Sequence, residues 1–357
     1  MHHARASQPI VAPFRARALS LVTALVLTLS GPVAAQTSPD DLPPRLDEGV
    51  ARGLRFLAEQ QKEDGSLESG GPRVAMTALG LMAFLSAGHT PDAGAHGEAV
   101  RAAIDYLIDA APKDGYFGKL DGSRMYGHGI ATLALVEAAG VEPDAGRRDK
   151  MLAIVSAAVK VILDAQDVAK APHEQGGWRY EPRSADSDLS LSGWNALALR
   201  AAQNAGVEVP KERVARAVQY VLKCYHKEQG GFAYQPGQSA SIAMTGVALL
   251  NLRLLDANTD HPQAAAAVAY LGKSLATENV RYPYYAAYYA AQASFQAGGA
   301  TWQTVWPPTM DRSLAAQLPD GGWPPSKTNE EPGRVYATAM SVLTLTVPYR
   351  LLPIYQR

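Results

Sequence analysis

One short phrase recurs along the chain, always between a helix-like stretch and a second, more apolar one. It reads Gln175-Gly176-Gly177-Trp178, Gln229-Gly230-Gly231-Phe232 and Asp320-Gly321-Gly322-Trp323, with looser copies at Asp64-Gly65-Ser66-Leu67 and Asp114-Gly115-Tyr116-Phe117. Successive copies lie about 50 to 60 residues apart, then roughly 90 before the last, a gap wide enough for one degenerate unit. A supersecondary unit repeated at such a period cannot bury its apolar face alone, so it must stack against its neighbours.

The units resolve into six helix pairs. First helices are expected at Leu46–Gln61, Gly97–Ala110, Lys150–Gln166, Lys211–Tyr225, Pro262–Thr277 and Trp302–Gln317. Second helices are expected at Val74–Ala87, Tyr126–Ala139, Leu191–Asn204, Ile242–Leu255, Tyr284–Gln296 and Val335–Val347, with Arg281-Tyr282-Pro283 replacing Gly-Gly in the fifth unit. First helices carry charges on one face, as Glu48, Arg52, Arg55 and Glu59 do in the first unit. Second helices are apolar nearly all round, and such helices are buried on every side. Two layers follow, charged outside and apolar inside. No stretch of alternating β-branched residues competes, and alanine is abundant, so the chain reads as all-α. The expectation is a single (α/α)6 toroid over 46–350, preceded by a polar lead-in at 36–45 and followed by a C-terminal tail at 351–357. An open solenoid would need end repeats with polar outer faces, and none is evident.

Residues 1–35 read as a signal peptide. Arg15 and Arg17 precede an uncharged apolar run from Ala18 to Leu29, and Val33 and Ala35 stand at the −3 and −1 positions of a small-residue cleavage site. The run is shorter than the roughly 20 apolar residues that span a bilayer. Export to the periplasm or medium is the expectation, with membrane attachment only if the signal segment is retained. With 33 basic and 34 acidic residues interspersed, the chain offers no electrostatic footprint for nucleic acid. Cys224 is the single cysteine and cannot form an intrachain disulfide.

The Gly-Gly-aromatic turns with apolar inner helices resemble the prenyltransferase and squalene-cyclase repeat of α/α-toroid proteins, over nearly the whole chain after the leader. The phrases Met125-Tyr126-Gly127-His128-Gly129-Ile130 and Gly176-Gly177-Trp178-Arg179-Tyr180 also resemble an exported bacterial branch of that superfamily. The resemblance implies that the glutamine and aromatic of each turn tie an outer helix to the start of the next inner one. It also implies a central cavity whose mouth is formed by inner-helix N-termini.

Candidate site residues therefore cluster at those starts. Asp186 and Asp188 in Asp186-Ser187-Asp188-Leu189 are similar to the Asp-x-Asp-Asp acid of class II terpene cyclases, with one of three carboxylates missing. An acid of that kind needs its proton held by burial and a like-charged neighbour; the bland alternative is that Asp188 or Ser190 N-caps the next helix. His128, between two glycines, is a candidate acid, base or donor, or a buried histidine satisfied by a carbonyl. Arg124, Tyr126, Trp194, Tyr285, Tyr288, Arg334 and Tyr336 are candidate ligand contacts. The tyrosines either line a cavity through their π-faces or fill it. Arg124 and Arg334 are placed to pair with Asp186 or Asp188, which would keep those carboxylates ionised.

The zinc set of protein prenyltransferases is not matched: Tyr336-Ala337-Thr338-Ala339 stands where a Tyr-His-Thr-Cys phrase belongs, so no metal and no cofactor is expected. Serine-hydrolase, zincin and thioester motifs are absent from the sequence. Two-ring triterpene cyclases need roughly twice this length. The functional expectation is an exported toroid that binds a small apolar or saccharide ligand, or a protein partner, in its central cavity without known cyclase or prenyltransferase chemistry. The alternative is a terpene-cyclase-like, lyase-like or saccharide-processing enzyme using Asp186, Asp188 and His128.

Overall fold

A computed structural model describes residues 42–356, apart from 69, 257–260, 275–279 and 328–330. The leader and most of the lead-in therefore lie outside the described residues, as does the expected end of the fifth outer helix. Twelve α-helices are described. The outer six are α1 (Pro44–Gln60), α3 (Gly97–Asp109), α5 (Ala145–Gln166), α7 (Lys211–Lys223), α9 (Pro262–Ser274) and α11 (Gly299–Ala315). The inner six are α2 (Arg73–Ser86), α4 (Arg124–Ala139), α6 (Leu189–Asn204), α8 (Ile242–Leu255), α10 (Pro283–Ala297) and α12 (Gly333–Leu345). Short strands β1 (Tyr225–His226) and β2 (Gly231–Phe232) pair antiparallel beside the fourth turn. No helix among the described residues is long and apolar enough to cross a membrane.

Each inner helix packs against the next, α2 on α4 through to α10 on α12, and α12 packs back on α2. The ring is closed, and the solenoid alternative is excluded. Burial follows the expected layers. Every residue of α2 from Val74 to Ser86 is buried, whereas α1 buries only a stripe including Leu46, Val50, Leu54 and Leu57. Each such leucine contributes about 1.5–3 kcal/mol on leaving water, which is why this layering dominates local propensity. Helix α5 begins five residues earlier than expected, because Asp144 caps it through a 2.7 Å bond from the Arg147 N–H.

The Gly-Gly turns are the joints of the ring. Gly176 sits at φ +99°, and a Cβ there would lie 2.2 Å from the Arg216 carbonyl oxygen of the next outer helix, so only glycine fits. The aromatic that follows is buried, and its backbone N–H donates to a hydroxyl on the next inner helix. Trp178 donates to Ser192 Oγ at 2.9 Å, Phe232 to Thr245 Oγ1 at 2.9 Å and Trp323 to Thr338 Oγ1 at 3.0 Å.

Of the glutamines in the Gly-Gly phrase, Gln229 ties its turn to the start of α8, its Oε1 accepting from the Ala240 N–H at 2.6 Å. Gln175 is exposed, reaching only the Lys170 carbonyl at 3.4 Å. Further ties are made from the ends of the outer helices. Gln61 Nε2 donates to the Gly65 and Ala99 carbonyls, Gln166 Nε2 to Gly176 and Arg213, and Gln317 Nε2 to Gly321 and Gly49. Each glutamine thus joins its own turn to the neighbouring outer helix, and Gln317 joins the last unit to the first. Gln166→Ala removes both bonds, the buried one to the Gly176 carbonyl and the one to the Arg213 carbonyl, and we expect a loss of about 1–3 kcal/mol in urea unfolding. A change within a few tenths of a kcal/mol would remove the staple from the account of the fold.

Candidate functional site

The inner helices begin at one end of the ring, the mouth, and for α2, α4, α6 and α10 the turn of the following unit holds the helix start before it. The Val74 N–H of α2 donates to Asp121 Oδ2 (2.7 Å), and the Met125 N–H of α4 to the Tyr180 carbonyl (3.0 Å). The Leu189 N–H of α6 donates to the Tyr234 carbonyl (2.8 Å), and the Tyr285 N–H of α10 to Glu331 Oε1 (3.0 Å). These contacts satisfy N–H groups that a helix cannot satisfy itself. They also draw half-buried Tyr126, Tyr180, Tyr234, Tyr284 and Tyr336 around the opening.

Asp188 is the polar hub of the mouth and is fully buried. Its Oδ1 accepts from the Leu191 N–H (2.9 Å) and Ser190 Oγ (2.8 Å), which makes it the N-cap of α6. Its Oδ2 accepts from Arg179 Nη1 (2.9 Å) and the Tyr234 hydroxyl (3.0 Å), and Tyr180 in turn donates to Tyr234. Burial pushes the carboxyl up, while the Leu191 N–H, Ser190, Arg179 and Tyr234 pull it back. Four donors occupy its two oxygens. Asp186, about half exposed, pairs with Arg179 Nε at 3.1 Å. One guanidinium therefore bridges both aspartates, stacked between the Tyr180 and Tyr234 rings at 4.7 and 5.3 Å.

The bridging cation is Arg179, not the expected Arg124 or Arg334. Arg124 pairs with Glu181 at 3.2 Å on the exposed rim. Arg334 pairs with Asp320 at 2.7 Å and lies over the Phe56 ring. His128 also departs from the mouth: it is fully buried against the outer layer, with Nε2 3.1 Å from the Ala158 carbonyl of α5 and its ring against Tyr116. Burial drops its pKa to about 4, so it is neutral and Nε2–H is the donor. Asp186, Asp188 and His128 do not converge.

Inside the mouth the ring's centre is filled. Trp194 lies parallel to Tyr288 (6.1 Å) and edge-on to Tyr289 (5.6 Å), and Tyr285 packs on Tyr289 at 4.6 Å. All four side chains are at most 7 % exposed. Tyr126 donates to Ser190 Oγ at 2.6 Å from the half-buried layer above. At the far end the C-terminal segment crosses the ring. Tyr355 bonds the Tyr288 hydroxyl, Gln296 Nε2 donates to the Tyr355 carbonyl, and the Ile354 N–H donates to Glu137 Oε2 at 3.3 Å.

Two buried carboxyls escaped the sequence reading. Burial pushes Glu137, under the C-terminal segment, up to about 8, and Glu331, at the mouth, up to about 7, each against backbone N–H groups that pull the other way. A folded pKa above the unfolded value of 4.5 means that the stability Glu137 contributes is full below about pH 4.5 and lost as pH rises through about 8. Glu137→Gln keeps an acceptor for Ile354, so its urea midpoint should gain on the parent steadily between about pH 5 and about pH 9. An unchanging difference would mean that Glu137 is ionised in the fold. Among the described residues, no group of three or more His, Cys, Asp or Glu is placed to hold a metal.

Residues 180–347 match the prenyltransferase alpha-alpha toroid domain family. Two solved structures illustrate the likeness. The type II terpene cyclase MstE from Scytonema is 17% identical, over 86% of this chain and 99% of that one, with a TM-score of 0.57. The GH76A alpha-1,6-mannanase from Salegentibacter sp. HEL1_6 is 9% identical over 86% and 99%, with a TM-score of 0.63. At such identities the likeness is one of fold, and the two enzymes act on different substrates. No curated protein matches in sequence.

Proposed function

We propose, for a chain whose residues 180–347 match the prenyltransferase alpha-alpha toroid domain family, that it is an exported ring that holds a ligand at its tyrosine-lined mouth without cyclase or prenyltransferase chemistry. The observation that carries this reading is the packed interior: Trp194, Tyr285, Tyr288 and Tyr289 lie against one another and are at most 7 % exposed. An enzyme built on Asp186 and Asp188 lacks a free acid, since Arg179 bridges both. What remains accessible is the half-buried layer of Tyr126, Tyr180, Tyr234 and Tyr336. Ring faces of this kind suit a saccharide or another flat, partly apolar ligand.

The test is native mass spectrometry of the protein purified from its envelope or medium, beside the Tyr180→Ala/Tyr234→Ala double variant. A small molecule bound to the parent and absent from the variant supports the reading. Incubation with squalene or a geranylgeranyl compound should return the polyene unchanged. A cyclised product, or a ligand indifferent to both tyrosines, would overturn it.

A further inference from the structure

Glu331 and Asp121 occupy equivalent places, each in the turn that holds the start of the preceding inner helix. Their oxygens are used differently. Asp121 Oδ2 takes the Val74 N–H and Oδ1 the Ser123 N–H at 2.9 Å, so both oxygens have partners. Glu331 Oε1 takes the Tyr285 N–H, and the Tyr336 side chain acts on the carboxyl, but Oε2 closes no hydrogen bond although the residue is only 6 % exposed. No lysine or arginine among the described residues pairs with it, whereas Asp188 has Arg179 and the buried Glu142 has Arg147. What surrounds it is aromatic: Tyr284 and Tyr285 of α10 and Tyr336 of α12, with Tyr126 of α4 beyond Tyr336. A buried carboxyl beside tyrosines, with no counter-ion among the described residues, is the kind of group that a cation brought by a ligand would complete.

We propose that Glu331 Oε2, with the rings of Tyr336 and Tyr284, is a binding site for an organic cation, a primary or quaternary ammonium carried by the ligand or partner at the mouth. The proposal rests on the mouth being the binding face. The ammonium enters beside the half-buried Tyr336 ring, donates to or lies against Oε2, and supplies the missing charge. Because the carboxyl holds a proton up to about pH 7, the cation must compete with that proton.

Choline chloride is the probe, and its neutral isostere 3,3-dimethyl-1-butanol the control, both titrated calorimetrically into the full chain. Choline should saturate with a dissociation constant on the order of 1 mM, and the alcohol should not. Affinity should fall about tenfold per pH unit below about pH 7, with proton release on binding. Glu331→Gln, which keeps the acceptor for Tyr285, should weaken choline at least tenfold, and Tyr336→Leu should weaken it in the same direction. Equal binding of the neutral alcohol, a pH-independent affinity or an unaffected Glu331→Gln variant would overturn the site. The mouth reading is tested separately. Retention of the envelope ligand by Glu331→Gln together with undetectable choline binding sinks this site alone, while choline binding with no ligand dependence on Tyr180 and Tyr234 supports the site and sinks the wider reading.

Discussion

Asp188→Ala is expected to lower the unfolding free energy by about 3–5 kcal/mol, the range for breaking a buried charge pair from one side. The cause is the set of groups left behind. Arg179, about one-fifth exposed, keeps only the solvated Asp186, and the Tyr234 hydroxyl, Ser190 hydroxyl and Leu191 N–H lose their acceptor. The lost N-cap alone accounts for about 1 kcal/mol. Asp188→Asn should fall between, since an amide oxygen still caps α6 while its NH2 meets the Arg179 guanidinium. Asp186→Ala should cost less than about 1 kcal/mol, because its ion pair is half exposed. Urea midpoints at neutral pH distinguish the three. Near-equal losses for Asp186 and Asp188 would contradict the hub, and loss of a measurable activity with unchanged stability would point back to acid chemistry.

Trp194→Ala should cost about 3–5 kcal/mol, and its more telling effect is on the ring's interior. Trp194 stacks on Tyr288 and meets Tyr289 edge-on at the centre, so truncation removes partners from both. The surrounding inner helices are fixed by ring closure and cannot collapse freely into the gap. A dry apolar cavity of this sort binds benzene or xenon. Benzene should raise the melting temperature of Trp194→Ala and leave the parent unchanged. Trp194→Phe, which retains a ring, should lose less and respond less. If the alanine variant loses under about 1 kcal/mol and ignores benzene, the centre is already loosely packed and the filled-lumen argument fails.

The layered ring was legible because its cause is periodic. An inner helix such as Val74–Ser86 must be apolar all round, and an outer helix such as Pro44–Gln60 must carry a stripe, so both signatures repeat through the chain. The site was less legible because its decisive contacts have no period. Arg179 reaches Asp186 and Asp188 within an irregular turn, where neither helical nor strand spacing predicts who meets whom. Glu331 reads in sequence as half of an acidic pair before Pro332, the mark of a solvated turn; its burial is imposed by the start of α10, 46 residues upstream. His128 kept two readings for a simpler reason. A residue at the start of an inner helix faces either the centre or the outer layer, and the glycines at 127 and 129 do not say which. One further signal lies in the sequence: Gln61, Gln166 and Gln317 each close or just follow an outer helix, and each makes the same pair of bonds.

The Gln317 staple also bears on why this chain forms a circle at all. Its bond to the Gly49 carbonyl spans 268 positions, against 47 for the Gln166 bond to Arg213. Loop-closure entropy grows only logarithmically, so meeting across the whole chain costs about 1.5 kcal/mol more than meeting across one unit. That is no more than the burial of a single leucine returns. The penalty falls on time instead, since contacts between distant positions form slowly. Five joints assemble between neighbours, and the sixth must wait for the two ends to find each other.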